Sequence, residues 1–377
     1  MGTPIAPAKL NIGDKVKDTW IVKKKLGEGS CGMVFLVQSV KLSGPEGKAA
    51  MKVEPFMKSK DDEILKMEVF VLKKVQKSKH ACKLLMAGKD RNFSFLIMSL
   101  LGKELSELRR RYYPDRKMGP VASLRVGVQA LQAIRDLHSV GFVHRDVKPT
   151  NFACGHANRH IIYMFDYGLS RQIMTNEGGK LKLREPREKV SFRGTVRYCS
   201  LNVHLYKEQG RHDDLWSILF MCIELCTATL PWKGMSRKES GAVKANVTDA
   251  ALCKDCPPSF MEITKMLKSY EFKTTPAYDT IKGLLMRDIQ NLKGNMNDPF
   301  EWEKTDKKVE KKNEEKDHDE KAEIDQSEDT DTKKDLEESV ESQASDDESQ
   351  TKGFAKEDTL DNVAEMNNNK SIETTKK

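Results

Sequence analysis

The stretch His144-Arg145-Asp146-Val147-Lys148-Pro149-Thr150-Asn151 gathers two cations, a carboxylate and an amide within eight residues, directly after the apolar Val140-Gly141-Phe142-Val143. Pro149 lacks an N–H and pushes Lys148 towards extended backbone, so neither a helix nor a central strand runs through it. The chain must therefore hold a loop of this chemistry in place with the rest of its fold. Charge limits which residues can do the holding. From Lys304 onward there are 14 Lys against 24 Asp and Glu, a net of −10 in a chain of net +8, so the preceding body carries +18. Residues 305–377 hold one aromatic side chain, Phe354, and few aliphatic ones. They are expected to form an acidic disordered tail, because they cannot bury enough apolar area to offset ordering. The body, in a chain of 377 residues with 38% hydrophobic side chains, is large enough for a real core.

Several classes of function fall away. No run of about 18 apolar residues offers a membrane span, and the N-terminus has no apolar signal-peptide core. Gly2 lacks the Ser or Thr that a myristoylation signal wants at the position of Ala6. The chain is expected to be soluble and cytoplasmic, with the nucleus as a second location. Its eight cysteines follow no framework spacing and read as reduced thiols. Cys253 and Cys256 form a C-x-x-C without a second ligand pair, which reads as a surface loop rather than a metal site. No groove-reading or RNA-stacking motif accompanies the basic body, so nucleic acid is not expected as a partner.

Periodicity places the remaining elements. Apolar stretches broken by Gly-rich turns over residues 20–53 suit an antiparallel sheet. Residues 62–76 read as one helix, and 84–101 as two more strands. Leu124, Val128, Leu131, Ile134 and Leu137 advance in steps of four and three, the buried face of a helix ending near Gly141. A β-rich unit precedes a mainly helical one.

Four polar sites lie on these elements in a fixed order. Gly27-x-Gly29-x-x-Gly32-x-Val34 sits between two strand-like runs, where it is either ordinary turn chemistry or a hairpin over phosphates. Lys52 follows on a strand; Glu68, in the midst of an apolar helix face, would be costly to bury unpaired and can hold Lys52 towards ATP phosphates. In the opening loop, Asp146 can accept a hydroxyl proton, Lys148 can neutralise a transferred phosphoryl and Asn151 can ligate Mg²⁺. Asp166 ends an apolar strand 15 residues later, before Gly168, where a carboxylate can hold a metal bridging two phosphates.

Together these sites resemble the signature of eukaryotic protein kinases. Within that superfamily the chain resembles the casein kinase 1 group, since Ser200-Leu201-Asn202 in "FRGTVRYCSLNVH" stands where Ala-Pro-Glu usually closes the activation segment. It is most similar to the tau-tubulin kinase branch in "LKMEVFVLKK", "LHSVGFVHRDVKPTNFACG", "GRHDDLWS", "LPWKG" and the final "DPFEWEK".

The resemblance covers residues from about 15 to 304 and implies a bilobal α+β fold. An extension (1–14) would precede a small lobe (about 15–98) and a larger one (about 102–304). It implies ATP and Mg²⁺ as cofactors and protein substrates, among them cytoskeletal or acidic proteins, for a monomeric enzyme. Gly27, Gly29, Gly32, Val34, Ala50 and Lys52 would surround the nucleotide, Met98 would guard the back of the adenine pocket, and Ser99 to Leu101 would form the hinge. Asn151 and Asp166 would hold the metal, and Asp146, Lys148, Lys52 and Glu68 would serve catalysis. Asp214 would bond the catalytic-loop backbone, Thr195 would bond Asp146 and Lys148, and Arg145 is the type that grips a phosphorylated activation loop. Arg193, Arg197 and Lys244 are candidates for an anion site on the substrate side, within a basic patch that also takes in Arg171, Arg187 and Lys189. Tyr167 replaces the usual Phe and adds a hydroxyl that needs a partner; Leu219 replaces a common Gly. Cys31, in the Gly-rich loop, reads as small filler or as an oxidation-sensitive thiol. Ser327, Ser339, Ser342 and Ser345 in the tail suggest a pseudosubstrate, with a plain solubilising tail as the other reading. A nucleotide-binding scaffold without turnover is the alternative to an active serine/threonine kinase.

Overall fold

The computed structural model describes residues 3–29, 32–59 and 63–304. Cys31 and the tail serines lie outside the described residues. Strands β1 (Lys15–Val16), β2 (Trp20–Gly29), β3 (Gly32–Ser39) and β4 (Lys48–Pro55) lead to helix α1 (Ile64–Lys74), and β5 (Leu84–Asp90) and β6 (Phe93–Ser99) follow. They form one antiparallel sheet in the order β1-β2-β3-β4-β6-β5.

Alternation along β4 decides what this sheet can do. Ala49, Met51 and Val53 join Val22, Phe35, Val37, Phe95 and Ile97 in a cluster on one face. Ala50, Lys52 and Glu54 therefore project from the other, where α1 packs. That helix buries Leu65, Glu68, Val69 and Leu72, a stripe at helical spacing that brings a carboxylate down onto the strand. Residues 3–10, read as part of an extension, lie against the same lobe: Ile5 N donates to Phe56 O (2.8 Å), Lys58 N donates to Thr3 O (3.0 Å), and Ala8 and Leu10 pack on the outer cluster.

Past Ser99 the chain enters β7 (Leu101–Glu104), α2 (Leu105–Tyr112), α3 (Gly119–Ser139), β8 (Phe142–Val143), β9 (Phe152–Gly155) and β10 (Ile162–Met164). Small sheets β10-β9-β7 and β11-β8, the latter using β11 (Arg171–Gln172), frame the catalytic loop. Hairpin β12 (Met174–Glu177) and β13 (Lys180–Leu183) turns at Gly178-Gly179, an arrangement that the alternating "MTNEGGKLKL" signals but that was absent from the sequence expectation. Helices α4 (Leu201–His204), α5 (Arg211–Thr227), α6 (Arg237–Asn246), α7 (Asp249–Leu252), α8 (Pro258–Lys268) and α9 (Tyr278–Asn291) complete the lobe.

Leu219 is buried in α5, so the close approach of α3 and α5 uses a different glycine: a Cβ on Gly127 of α3 would lie 3.0 Å from Cys222 Sγ. The surface-loop reading of Cys253 and Cys256 is corrected. Cys253 is buried with its Sγ 3.5 Å from Thr264 Oγ1 of α8, because that helix covers the loop. Near the end of the described chain, Phe300 and Trp302 stack at 4.3 Å and are fully buried, with Trp302 Nε1 donating to Arg159 O (3.0 Å).

Candidate active site

Three elements converge on Lys52. From β4 its Nζ lies 2.7 Å from Glu68 Oε2 on α1 and 2.8 Å from Asp166 Oδ1 after β10. Burial pushes the Glu68 carboxyl up, against the pull of the Lys52 ammonium. Burial acts on Asp166 in the same sense, but the Lys52 charge and hydrogen bond, together with the charge of Lys148, outweigh it and hold Asp166 below the ordinary carboxylate range. Asp166 adopts a left-handed backbone, φ +62° and ψ +66°. Such a residue is strained by about 1–3 kcal/mol and persists only where its surroundings fix it.

The catalytic loop is held from below. Asp214 on α5 accepts His144 N (2.7 Å) and Arg145 N (2.9 Å), together with a contact of 2.9 Å to His138 Nε2. Arg145 sits at φ +69° and spends its Nε on Leu169 O (2.7 Å). Above this floor Asp146 is 7% exposed, enough for one face to meet a substrate. Thr195 Oγ1 donates to Asp146 Oδ1 (2.7 Å) and accepts from Lys148 Nζ (3.2 Å), while Lys148 Nζ also lies 2.9 Å from Asp146 Oδ2. Asn151 Nδ2 donates to Asp146 O (2.8 Å), which turns the amide nitrogen to the loop and leaves the amide oxygen for a cation. Asn151 and Asp166 thus offer two hard oxygen donors, a set that fits Mg²⁺.

The glycine hairpin divides by role. Gly32, at φ +110°, could not carry a side chain, since its Cβ would fall 2.1 Å from Val53 O. Added Cβ atoms on Gly27 and Gly29 would meet nothing within 4 Å, so the space beside them is not filled by protein. Val34 pairs with Lys52, and Ala50 pairs with Met98, which is buried where β6 ends. Ser99 leads out of the sheet and Leu101 starts β7, the connection between lobes.

A protein kinase domain model matches residues 20–291. The chain belongs to the protein kinase family. It is 38% identical over 294 residues to a protein described as a serine/threonine-protein kinase in Dictyostelium discoideum, covering 77% of this chain but 58% of that one. A Caenorhabditis elegans protein described as a serine/threonine-protein kinase is 36% identical over 304 residues, 79% of this chain and 86% of its own length. A protein named an inactive tau-tubulin kinase, also from C. elegans, is 32% identical over 249 residues, 63% of this chain and 86% of its own. This kinase is of the serine/threonine type.

Its departures from the family pattern are accommodated. The Tyr167 hydroxyl donates to Met164 O (3.0 Å). Ser200 Oγ and Asn202 Nδ2 both donate to the buried Asp213 (2.6 and 3.0 Å), so Ser200-Leu201-Asn202 anchors the activation segment to the start of α5. Two anion-site candidates are corrected. Lys244 is buried with its Nζ on Val196 O (2.6 Å) and Cys199 O (2.7 Å), where it ties the activation segment to α6. Arg197 NH1 lies 3.4 Å from Glu224, a fully buried carboxylate that also takes Tyr198 Oη (2.5 Å) and Arg109 NH1 (3.3 Å). Sequence reasoning missed Glu224 and Asp213, although a carboxylate inside the apolar "LFMCIELCT" signals a buried partner. Within the basic patch, Arg171 and Arg187 converge on Glu208 (3.5 and 2.5 Å). Arg193 is half-buried and Lys189 exposed, and Arg237 of α6 lies 5.1 Å over the Phe192 ring.

Proposed function

We propose that this kinase is catalytically active and belongs to the casein kinase 1 group, nearest its tau-tubulin branch. It would transfer the ATP γ-phosphoryl to hydroxyls flanked by acidic or phosphorylated residues. The observation that carries the reading is the double contact of Lys52 with Glu68 and Asp166, made while Thr195 and Lys148 hold Asp146. Asp146 accepts the proton of the attacking hydroxyl, and Lys148 offsets charge on the phosphoryl in flight. When bound by Asn151 and Asp166, Mg²⁺ supplies charge neutralisation on the ATP phosphates. Little covalent chemistry is asked of the protein, so rate comes from positioning.

Arg193 and Lys189, with Arg237 nearby, support the preference for acidic segments, as does the net charge of the body. Glu208 between Arg171 and Arg187 supports activity without phosphorylation of the activation segment, because it already supplies the anion there. Cytoskeletal proteins in the cytoplasm are the substrates this branch implies. A relative named inactive favours a second reading, a nucleotide-binding scaffold. Lys52, Glu68, Asp146, Asn151 and Asp166 are all in place here, which favours turnover.

The test is phosphate transfer from labelled ATP to casein with MgCl₂, comparing wild type with Asp146→Asn and Asp166→Asn. Transfer abolished in both variants is expected. Wild-type protein that binds Mg·ATP but phosphorylates neither casein nor itself would establish the scaffold instead.

A further inference from the structure

Strand β4 and helix α1 meet at two points. Lys52 and Glu54 stand two residues apart on one face of the strand, and each reaches the helix. Lys52 takes Glu68. Glu54, 1% exposed, accepts Ile64 N on Oε1 (2.9 Å) and Leu65 N on Oε1 and Oε2 (3.3 and 3.2 Å). These are the first two residues of α1, whose amides have no intrahelical acceptor, and the adjacent N-cap residue Glu63 makes no side-chain cap. A strand carboxylate caps the helix from across the lobe.

What that first turn touches gives the cap its meaning. Glu68 is one turn past Ile64 on the same helix face. Ile64 itself rests on the turn after Asp166: a Cβ at Gly168 would come within 2.2 Å of Ile64 Cγ2. The segment after Glu54 is held in turn, since Phe56 N donates to Asn92 O (3.0 Å) and Phe56 O accepts Ile5 N (2.8 Å). A shift of the first turn along the helix axis would move both Glu68 and Ile64.

We propose that Glu54 is a positioning residue for phosphoryl transfer, its carboxylate setting the first turn of α1 so that Glu68 meets Lys52 and Ile64 closes on Gly168. The inference rests on the kinase reading and on no particular substrate. Among the described residues, the charged groups facing Glu54 are Lys52 on its own strand and Glu63 at the helix start. Burial pushes its carboxyl up to about 7, against the pull of the two amides and Lys52. The ionised form is the stronger acceptor at a helix N-terminus. Glu54 therefore holds α1 more firmly above pH 7 than below it.

The experiment measures kcat and the Mg·ATP affinity, by casein phosphorylation and calorimetry, for wild type, Glu54→Ala, Glu54→Gln, Glu68→Ala and the double Ala variant. Glu54→Ala is expected to lower kcat about tenfold when Glu68 is present and less than about twofold when it is not, with ATP affinity showing the same coupling. Glu54→Gln, which keeps the acceptor and loses the charge, should match wild type at pH 6 and fall about fivefold behind at pH 8. Equal losses in both Glu68 backgrounds, or a wild-type to Gln ratio that is flat with pH, would overturn the proposal. If Glu54→Ala does not fold, the pH ratio of the Gln variant decides alone. A wild type that binds Mg·ATP without turnover would remove the proposed function, while the coupling in ATP affinity would still judge Glu54.

Discussion

Two buried carboxylates do the same mechanical task in the two halves of the site, with opposite proton chemistry. Asp214 accepts two successive amides of the catalytic loop, and Glu54 accepts two successive amides of α1. Burial raises the proton affinity of both, but at Asp214 the hydrogen bond from His138, with that from His144 N, more than offsets it and holds that carboxyl below its ordinary range. Among the described residues Glu54 meets no such side-chain donor, and burial pushes it up to about 7. The lower half of the site is clamped by a group that stays charged at any working pH, the upper half by one that changes charge near neutrality. An added donor, rather than depth of burial, separates a fixed anchor from one that titrates.

The largest expected effect comes from breaking the stronger clamp. Asp214→Ala leaves His144 N, Arg145 N and His138 Nε2 without their acceptor. It should lower kcat about 100-fold and stability by about 3 kcal/mol or more, read from casein kinetics and the urea midpoint. An unchanged kcat would show that the loop does not depend on this anchor.

Stability against pH sharpens the contrast next. The raised Glu54 pKa means that the folded state binds its proton more tightly than the unfolded one. Its contribution is therefore complete below about 4.5 and falls as pH rises through 7, by at most about 3 kcal/mol. Glu54→Gln should gain on wild type in thermal unfolding between pH 5 and 8. The lowered Asp214 works in reverse: its contribution is present above about pH 4 and is lost on acidification below it. Identical pH dependences for wild type and Glu54→Gln would erase the distinction between the clamps.

A smaller change is expected at Thr195, whose hydroxyl joins Asp146 to Lys148. Thr195→Val should reduce kcat about tenfold with little change in KM for ATP, and Thr195→Ser should retain most activity. Smallest is Tyr167→Phe, which leaves Met164 O without its donor and should destabilise by about 1 kcal/mol with near-normal turnover.

Much of this was legible in the sequence, for a reason the residues make plain. Asp146, Lys148, Asn151 and Asp166 carry chemistry that tolerates few substitutes, and Glu68 announces itself as a charge on an apolar helix face. Glu54 did not, because its task depends on where the residues between β4 and α1 bring the helix start. Arg197 and Lys244 misled for a related reason: a cation in a sequence does not say whether a buried carboxylate or a pair of carbonyls already claims it. Strand and helix positions followed from periodicity, whereas Gly127 standing in for the glycine absent at Leu219 required the packed lobe to be seen.

The tyrosine at 167 also bears on inhibitor design. A small molecule that gains reach in the nucleotide cleft by expelling this side chain must break its bond to Met164 O and part Ile64 from Gly168. Against a kinase with Phe at this position, the lost hydrogen bond alone amounts to about 1 kcal/mol, or roughly fivefold in Kd. Compounds that leave Tyr167 seated avoid that penalty, so a panel of the two inhibitor types should rank differently on this enzyme than on its phenylalanine-bearing relatives.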